Sequence, residues 1–460
     1  MERDKNLGLV ATACALALSL TATAFGRTIS VNNSGAADFK TIQAAVDDAN
    51  DGDAVLVAPG TYAGDGNRDI DFKGKAITVK SEQGPETCII DCQGSDDKPH
   101  RGFYFHSAED ANSIVSGFTI RNGYVPESGG GIYCSMASPH VIDCVITHCT
   151  AIEGGGGIAA IRSSVLVDDC IVVDNRGGPG GGLMSHNDGG AARPPIFARC
   201  IIAGNQAKGG HGGGGVSLDG HATFINCTIC DNRTLNDDLY GGGLYCGSGD
   251  PDRAILRNCI IWGNTASKGS EIAVLGSVGI LGTMFAIVEH SLIGTDPNGI
   301  LDPQNHIRGQ WLQADPLMRR MGYWDTNGTA DNPDDDSFVQ GDYHLKSQAG
   351  RWDPASKNWV RDDVTSPCID SGDPNSPVCE ELFPNGGRIN MGAYGGTSEA
   401  SKSYFGEPVC ETIIAGDING DCKVDFKDLT LMAMNWLGGA LHGSGEGPGD
   451  QNESPPEKGR

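Results

Sequence analysis

The chain has 460 residues, 59 of them acidic against 33 basic, for a formal net charge of -26. An acidic balance of this size argues against nucleic acid or an anionic membrane surface as a partner. Glycine, at 68 residues, runs at about twice its usual share, so some local structure must be consuming it.

The N-terminus reads "MERDKNLGLVATACALALSLTATAFGR", with a charged start, an apolar run and the small residues Ala22, Thr23 and Ala24. That is the pattern of a signal peptide over residues 1–26. The run is too short and alanine-rich for a membrane span, and no later segment is long enough. The mature protein is therefore expected to be secreted or held at the cell surface. Export permits disulfides, and with Cys14 in the leader an odd number of the 16 cysteines remains, leaving at least one unpaired within the chain.

Beyond the leader the sequence repeats itself. "IVSGFTIRNG" from Ile114, "VIDCVITHCT" from Val141, "VDDCIVVDN" from Val167, "FARCIIAGN" from Phe197, "FINCTICDN" from Phe224 and "LRNCIIWGN" from Leu256 align on one column. That column reads Gly117, Cys144, Cys170, Cys200, Cys227, Cys259, preceded by Ser116, Asp143, Asp169, Arg199, Asn226 and Asn258. Five residues on it reads Asn122, Cys149, Asn175, Asn205, Asn232, Asn264. Glycine runs such as "GGGIYC", "GGGGIAA" and "GGGLMS" separate the copies, and the period is roughly 25 to 33 residues.

The β-branched runs favour extended backbone. The polar column marks one bend and the asparagine column a second, because Asn tolerates left-handed backbone; the glycine runs mark a third. Three short strands per repeat, stacked about 4.8 Å apart, give one rung of a solenoid of roughly ten rungs. Stacked cysteines then form an interior ladder of small thiols, with one or two bridges between neighbouring rungs left open. Cys227-x-x-Cys230 has metal-ligand spacing, but such residues on a strand face opposite sides, and structural zinc wants a second pair.

These repeats resemble the right-handed parallel β-helix proteins of the pectin-lyase-like superfamily. "FKTIQAAVDDANDGDAVLVAPGTY", from Phe39, looks like the usual entry to that fold, an N-terminal capping helix followed by the first strand. "YHLKSQAG" at Tyr343 and "SPCIDSGDPN…RINMGAYGG" ending at Gly396 resemble its closing segment, while the acidic "DTNGTADNPDDDSFVQGD" reads as a surface insertion. The resemblance implies an all-β, right-handed, single-stranded parallel β-helix over residues 27–405. It leaves the activity open, since this scaffold carries lyases, hydrolases, esterases and adhesins alike.

Asp168 and Asp169 are the candidate carboxylate pair. "VDDC" and "GGHGG" around His211 look like fragments of the polygalacturonase motifs. The Asn-x-Asp and Arg-x-Lys that complete that set are missing where expected. Position in the repeat already accounts for Asp169, and Asp168 is the more unusual of the two. Inverting hydrolysis would need two carboxylates across a bound sugar with room for water. Histidine can serve as a general base, but the sequence pairs His211 with no partner.

Residues 411–438 contain "GDINGDCKVDFKDLTLMAMNWLG". Asp417, Asn419, Asp421, Asp425 and Asp428 occupy positions 1, 3, 5, 9 and 12 of an EF-hand-type loop, with the Lys423 carbonyl at 7. Alternating oxygens in one short loop are what Ca²⁺ requires. Cys422 replaces the usual glycine, and Asp428 the usual Glu. The segment resembles one dockerin type I repeat where a full module has two, which implies a cohesin-like or cell-surface partner through residues 416–438 and puts that partner in question. Residues 439–460 are low-complexity and expected to be disordered.

Together these features point to a secreted or cell-surface β-helix that binds or processes extracellular polysaccharide. The competing reading is a non-catalytic adhesin or structural surface protein. An enzyme should gather titratable side chains from adjacent rungs, whereas a spacer should show a uniform polar face.

Overall fold

The computed structural model describes residues 26–187, 193–247, 253–275, 285–329, 332–333, 335–406, 416, 423–430 and 432–433. Residues 1–25 of the expected signal peptide and the expected tail, residues 439–460, fall outside them. The chain divides at Ser403/Tyr404 into two units, and the solenoid lies in the first.

Each turn of chain lays down four extended segments. One turn is His140–Ile142, Val145–Thr147, Thr150–Ala151 and Ile158–Ile161. The next is Leu166–Asp168, Ile171–Val173, Arg176–Gly177 and Leu183–His186. Each segment pairs in parallel with its counterpart one turn away, which defines four columns. The first two belong to a 19-stranded sheet, the third forms a 5-stranded sheet and the fourth an 8-stranded one. The result is an all-β parallel solenoid of about nine turns with almost no helix. The expectation of three strands per rung missed the third column, whose segments are only two residues long.

The helix Ile42–Asp48 packs beside Thr28–Val31 and Ala54–Val57, and its buried Ile42, Ala45 and Val46 join the interior core. Parallel pairing continues to Ile307–Leu312. Antiparallel hairpins follow at Tyr323–Asp325 with Ser337–Val339 and at Arg351–Asp353 with Asn358–Val360. The acidic insertion is docked on the solenoid: the Asp336 carboxylate accepts from Arg233 at 2.6 Å. Residues 366–403 then lie along the outside of the second column. A second apolar core forms there, in which Ile201, Cys230 and Ile260 pack with Tyr343, Cys368 and Met391.

The first bend is made by the residue before the cysteine. Asp143, Asp169, Arg199, Asn226 and Asn258 all have φ between 50° and 56°. Left-handed backbone costs an L-residue roughly 1–2 kcal/mol, least for Asn and Asp, which explains the column's composition. Here the first repeat needs correction. Val115 pairs with Val141, so Gly117 (φ 78°) belongs in the bend column and Phe118 above Cys144. With a side-chain period of 2, a slip of one residue exchanges inside for outside.

The asparagine column also departs from expectation. The second bend is carried by the preceding residue, His148, Asp174, Gly204, Asp231 or Gly263, with φ of 53° to 73°. Asn175, Asn205, Asn232 and Asn264 instead point inward and form a buried ladder. Each carbonyl oxygen accepts the backbone N–H of the asparagine one rung earlier, at 3.0, 2.9 and 3.0 Å. Each amide nitrogen donates to a backbone carbonyl of the preceding turn, as from Asn205 to Val172 at 2.9 Å. The ladder ends on Glu271, whose carboxylate accepts from Asn264 Nδ2 at 2.6 Å and which burial pushes up to about 7.

The glycine runs allow close approach of neighbouring rungs. A Cβ on Gly130 would lie 2.6 Å from both Gly156 O and Thr150 O. The cysteine column is an interior ladder of free, buried thiols, Cys144, Cys170, Cys200, Cys227 and Cys259. Cys227 lies in the interior core and Cys230 in the outer one, so the pair faces opposite sides. Cys379 is disulfide-bonded.

Truncating the ladder at Asn205→Ala leaves the buried Asn175 N–H without its partner. Each such group costs about 1–3 kcal/mol, so with the lost packing the variant should be destabilised by about 2–4 kcal/mol in chemical denaturation. A loss under about 0.5 kcal/mol, the scale of an ordinary surface substitution, would contradict the ladder.

Candidate functional site

The strand Leu166–Asp168 turns Val167 into the core and Leu166 and Asp168 outward, as period 2 requires. Asp169 then takes the left-handed bend, which brings both carboxylates to the same outer edge. Arg199 holds the bend position one rung on and reaches both. Its Nη2 donates to Asp168 Oδ2 at 2.6 Å and to Asp169 Oδ2 at 2.9 Å, and its Nε to Asp169 Oδ1 at 2.7 Å.

Asp168 is only 6% exposed, and its Oδ1 has no hydrogen-bond partner. Burial, followed by the charge of Asp169, pushes its carboxyl up to about 7 against the pull of Arg199. Asp143, one rung earlier in the bend column, is raised by burial and then by Asp169. His140 lies on the same outer face, buried, with Nε2 unpartnered and its pKa lowered to about 4 by burial and then by Arg199. A recess lined by Arg199, Ile225, Asn226 and Ser376 opens beside the cluster.

Two carboxylate oxygens on one guanidinium nitrogen, at 2.6 and 2.9 Å, cannot lie more than about 5.5 Å apart. Inverting hydrolysis separates its carboxyl groups by about 6.5–9.5 Å to admit a water, and here the intervening space is filled by Arg199. The pair is built as a charge clamp between successive rungs. Arg199 and His140 escaped the sequence reading, although Arg199 stands in the same polar column as Asp169, one repeat later.

The structure does not bring His211 to this edge. His211 follows the third-column segment Gln206–Ala207 and precedes the fourth-column segment Val216–Asp219, where its ring stacks on Tyr245 with centroids 5.8 Å apart. The fourth column's outer row reads Tyr104, Tyr133, Ala159, Met184, Ser217, Tyr245 and Ala273, in register. Tyr104 and Tyr133 have ring centroids 5.5 Å apart, and the Arg101 guanidinium sits 5.0 and 4.9 Å from them. His106 stacks on Tyr104 at 4.1 Å. Farther along, His186 faces Asp219 at 3.9 Å.

In the second unit, Asp417, Asn419 and Asp421 lie outside the described residues, while Lys423, Asp425 and Asp428 lie within them. Asp425 Oδ1 accepts the Lys427 N–H at 2.7 Å, and Asp428 Oδ2 accepts the Asp425 N–H at 2.8 Å. This reciprocal capping starts a helical turn over residues 426–430. Among the described residues no group of three or more His, Cys, Asp or Glu could hold a metal, and no helix is long and apolar enough to cross a membrane.

Residues 322–372 match a family model described as "Disaggregatase related", a span that contains the hairpins Tyr323–Asp325/Ser337–Val339 and Arg351–Asp353/Asn358–Val360. No curated protein matches the chain. Solved structures similar to it include a pectin methylesterase from carrot, at 12% identity over 63% of this chain and 90% of that one, with a TM-score of 0.39. An alginate lyase from a Paenibacillus species matches at 15% identity over 63% and 96%, also with a TM-score of 0.39. A rhamnogalacturonan lyase matches at 14% over 63% and 84%, with a TM-score of 0.30. Likeness at this level transfers no chemistry to this chain.

The raised Asp168 gives a signed pH dependence. Folded, it holds its proton up to about pH 7; unfolded, it releases it near pH 4. The folded state binds the extra proton between those values, so stability should fall as pH rises from about 4 to about 7. Glu271 and Glu381, also raised to about 7, act in the same direction. The test is therefore the difference between wild type and Asp168→Asn, in which the variant's denaturation midpoint should decline less across that window. Parallel profiles would mean that Asp168 is ionised in the fold.

Proposed function

We propose that this is an exported solenoid that binds extracellular polysaccharide at the Tyr104–Tyr133 end of the outer row of its fourth column. The observation that carries this reading is the pairing of Tyr104 and Tyr133 on successive rungs, with Arg101 against both rings. Aromatic rings with a few fixed polar groups suit ligands that present both apolar faces and hydroxyls. Tyr133 and Tyr245 are four rungs apart, about 19 Å at the usual strand spacing, with only Ala159, Met184 and Ser217 between them. Tyr245 is only 5% exposed, so a bound chain would meet the column at its Tyr104–Tyr133 end.

Attachment belongs to the same proposal. Asp417, Asn419, Asp421, the Lys423 carbonyl, Asp425 and Asp428 would hold Ca²⁺, and the ordered loop would present residues 416–438 to a cohesin-like or cell-surface partner. Calcium's part there is structural, since it neutralises carboxylates that otherwise repel. Processing at a separate edge, where the Asp168 Oδ1 is partnerless beside the recess at Arg199, is the second reading. A non-catalytic adhesin would use the same tyrosine row without turnover.

Tyr133→Ala should weaken binding to the preferred member of a panel of acidic and neutral polysaccharides by about tenfold or more, as befits loss of an aromatic anchor worth about 2 kcal/mol. Affinity electrophoresis or calorimetry reads this out, and unchanged binding would move the site elsewhere. Reducing ends or unsaturated product from the same mixtures would establish processing, whereas binding without product supports the adhesin.

Calcium titration of the full mature chain should show one site. Asp425→Ala should weaken it at least tenfold, because hard-cation affinity follows the number of carboxylate ligands. Equal affinity in wild type and variant would remove the loop from the calcium assignment.

A further inference from the structure

The third column carries a second cluster that neither the bend clamp nor the tyrosine row uses. Its outer row reads Tyr124, Thr150, Arg176, Gln206 and Arg233, partners in register on successive rungs. Two guanidinium groups therefore flank Gln206, each one rung away. The hairpin Tyr323–Asp325/Ser337–Val339 supplies the other side of the seam. Arg233 Nη2 donates to Asp336 Oδ2 at 2.6 Å, and Arg176 Nη2 to the Asp336 carbonyl at 2.9 Å. The Arg233 guanidinium lies 3.8 Å from the centroid of the Trp324 ring, and Phe338 closes the edge against Gly204.

The seam is sealed but incomplete. Gln206 has 0% exposure, and neither its amide nitrogen nor its amide oxygen has a partner. Arg233 Nε and Asp336 Oδ1 are likewise buried and unpartnered. Buried polar atoms are nearly always satisfied, and a partly satisfied network is costly in a low-dielectric setting. The unmet set consists of two donors, Gln206 Nε2 and Arg233 Nε, and two acceptors, Gln206 Oε1 and Asp336 Oδ1. A hydroxyl donates and accepts at once, so hydroxyl groups are what the set lacks. A carboxylate already sits on the arginine fork.

We propose that Arg176, Gln206 and Arg233 form a binding site for a hydroxy-carboxylate, and that Asp336 occupies its carboxylate position as an internal surrogate. An incoming ligand takes the Arg233 fork in place of Asp336 and fills the Gln206 amide with its neighbouring hydroxyls. The ligand is either a free sugar acid or one unit of an acidic polymer, since both present the same chemistry. The site is separate from the tyrosine row, and its test leaves Tyr104 and Tyr133 untouched.

Calorimetry on the full mature chain would compare gluconate with hexanoate, which lacks the hydroxyls, and with glucitol, which lacks the carboxylate. Gluconate should bind Asp336→Ala at least tenfold more tightly than wild type, hexanoate and glucitol should show no such gain, and Arg233→Gln should abolish binding. A short acidic oligosaccharide that shows the gain where gluconate does not would assign the ligand to a polymer unit. Should Asp336→Ala fail to match the wild-type melting profile, limited proteolysis of the wild type decides. Saturating ligand should then speed cleavage within the hairpin between residues 325 and 336. Equal gluconate and oligosaccharide affinity in a well-folded Asp336→Ala, or no change in wild-type cleavage with either ligand, would overturn the proposal. So would a crystal structure in which ordered waters alone satisfy Gln206 at saturating ligand.

Discussion

The in-register parallel pairing of successive turns is the constraint on which everything else depends. Each residue lies against the residue at the same position one turn away, about 4.8 Å off, so a column tolerates only what tolerates its own kind. β-branched residues and thiols stack without penalty. Asparagine stacks because each amide bonds the backbone of the turn before it, leaving no buried polar atom unpaired along the run. The ladder needs terminators, and it has them. At one end the Cys149 N–H donates to Asn175 Oδ1 at 3.0 Å; at the other, Glu271 receives the last amide. Burial of that carboxylate is the cost of ending a polar column inside an apolar core.

The same constraint governs charge. Like charges one rung apart repel, and opposite charges attract at the same spacing. Asp91 with Arg121 and Arg257 with Glu289 are partners in register that form ion pairs. Asp169 and Arg199 follow the same logic on the bend column. A carboxylate pair in such a scaffold is accordingly explained first by its neighbour one turn on. Asp168 stands apart because it is buried as well as paired, which is why one of its oxygens is left over.

The solenoid was legible because its period is written repeatedly in residues with a physical preference for their place: left-handed Asn and Asp, packed thiols, close-approach glycine. Three things were not legible. The register of the first repeat slipped because Gly117 and Phe118 sit among β-branched residues on both sides, where a one-residue shift still reads as a strand. The inward turn of the asparagines was hidden because Asn serves bends and ladders equally well in sequence. The docking of residues 318–403 joins positions as far apart as Asn226 and Gly392, whose amide–carbonyl bond is 3.2 Å, and no period announces such a contact. The candidate site divides in the same way. Asp169 was readable as a bend, whereas the His211–Tyr245 stack and the Arg176–Gln206–Arg233 row appear only once the columns are aligned in space.

A four-sided solenoid offers four outer faces, and this chain uses part of its own length to cover two of them. The outer core on the second column and the hairpin on the third withdraw apolar and arginine-bearing surface from solvent. Covering a face with one's own chain protects parallel strands whose outer residues are as apolar as Ile201 and Ile260. It also leaves the two covered faces chemically unequal. The second-column seam closes on apolar side chains and has no need of a further partner. The third-column seam closes on arginines, an amide and a carboxylate whose valences do not match. Hydroxyls that donate and accept at once would match those valences, which is what sets this seam apart from the apolar one.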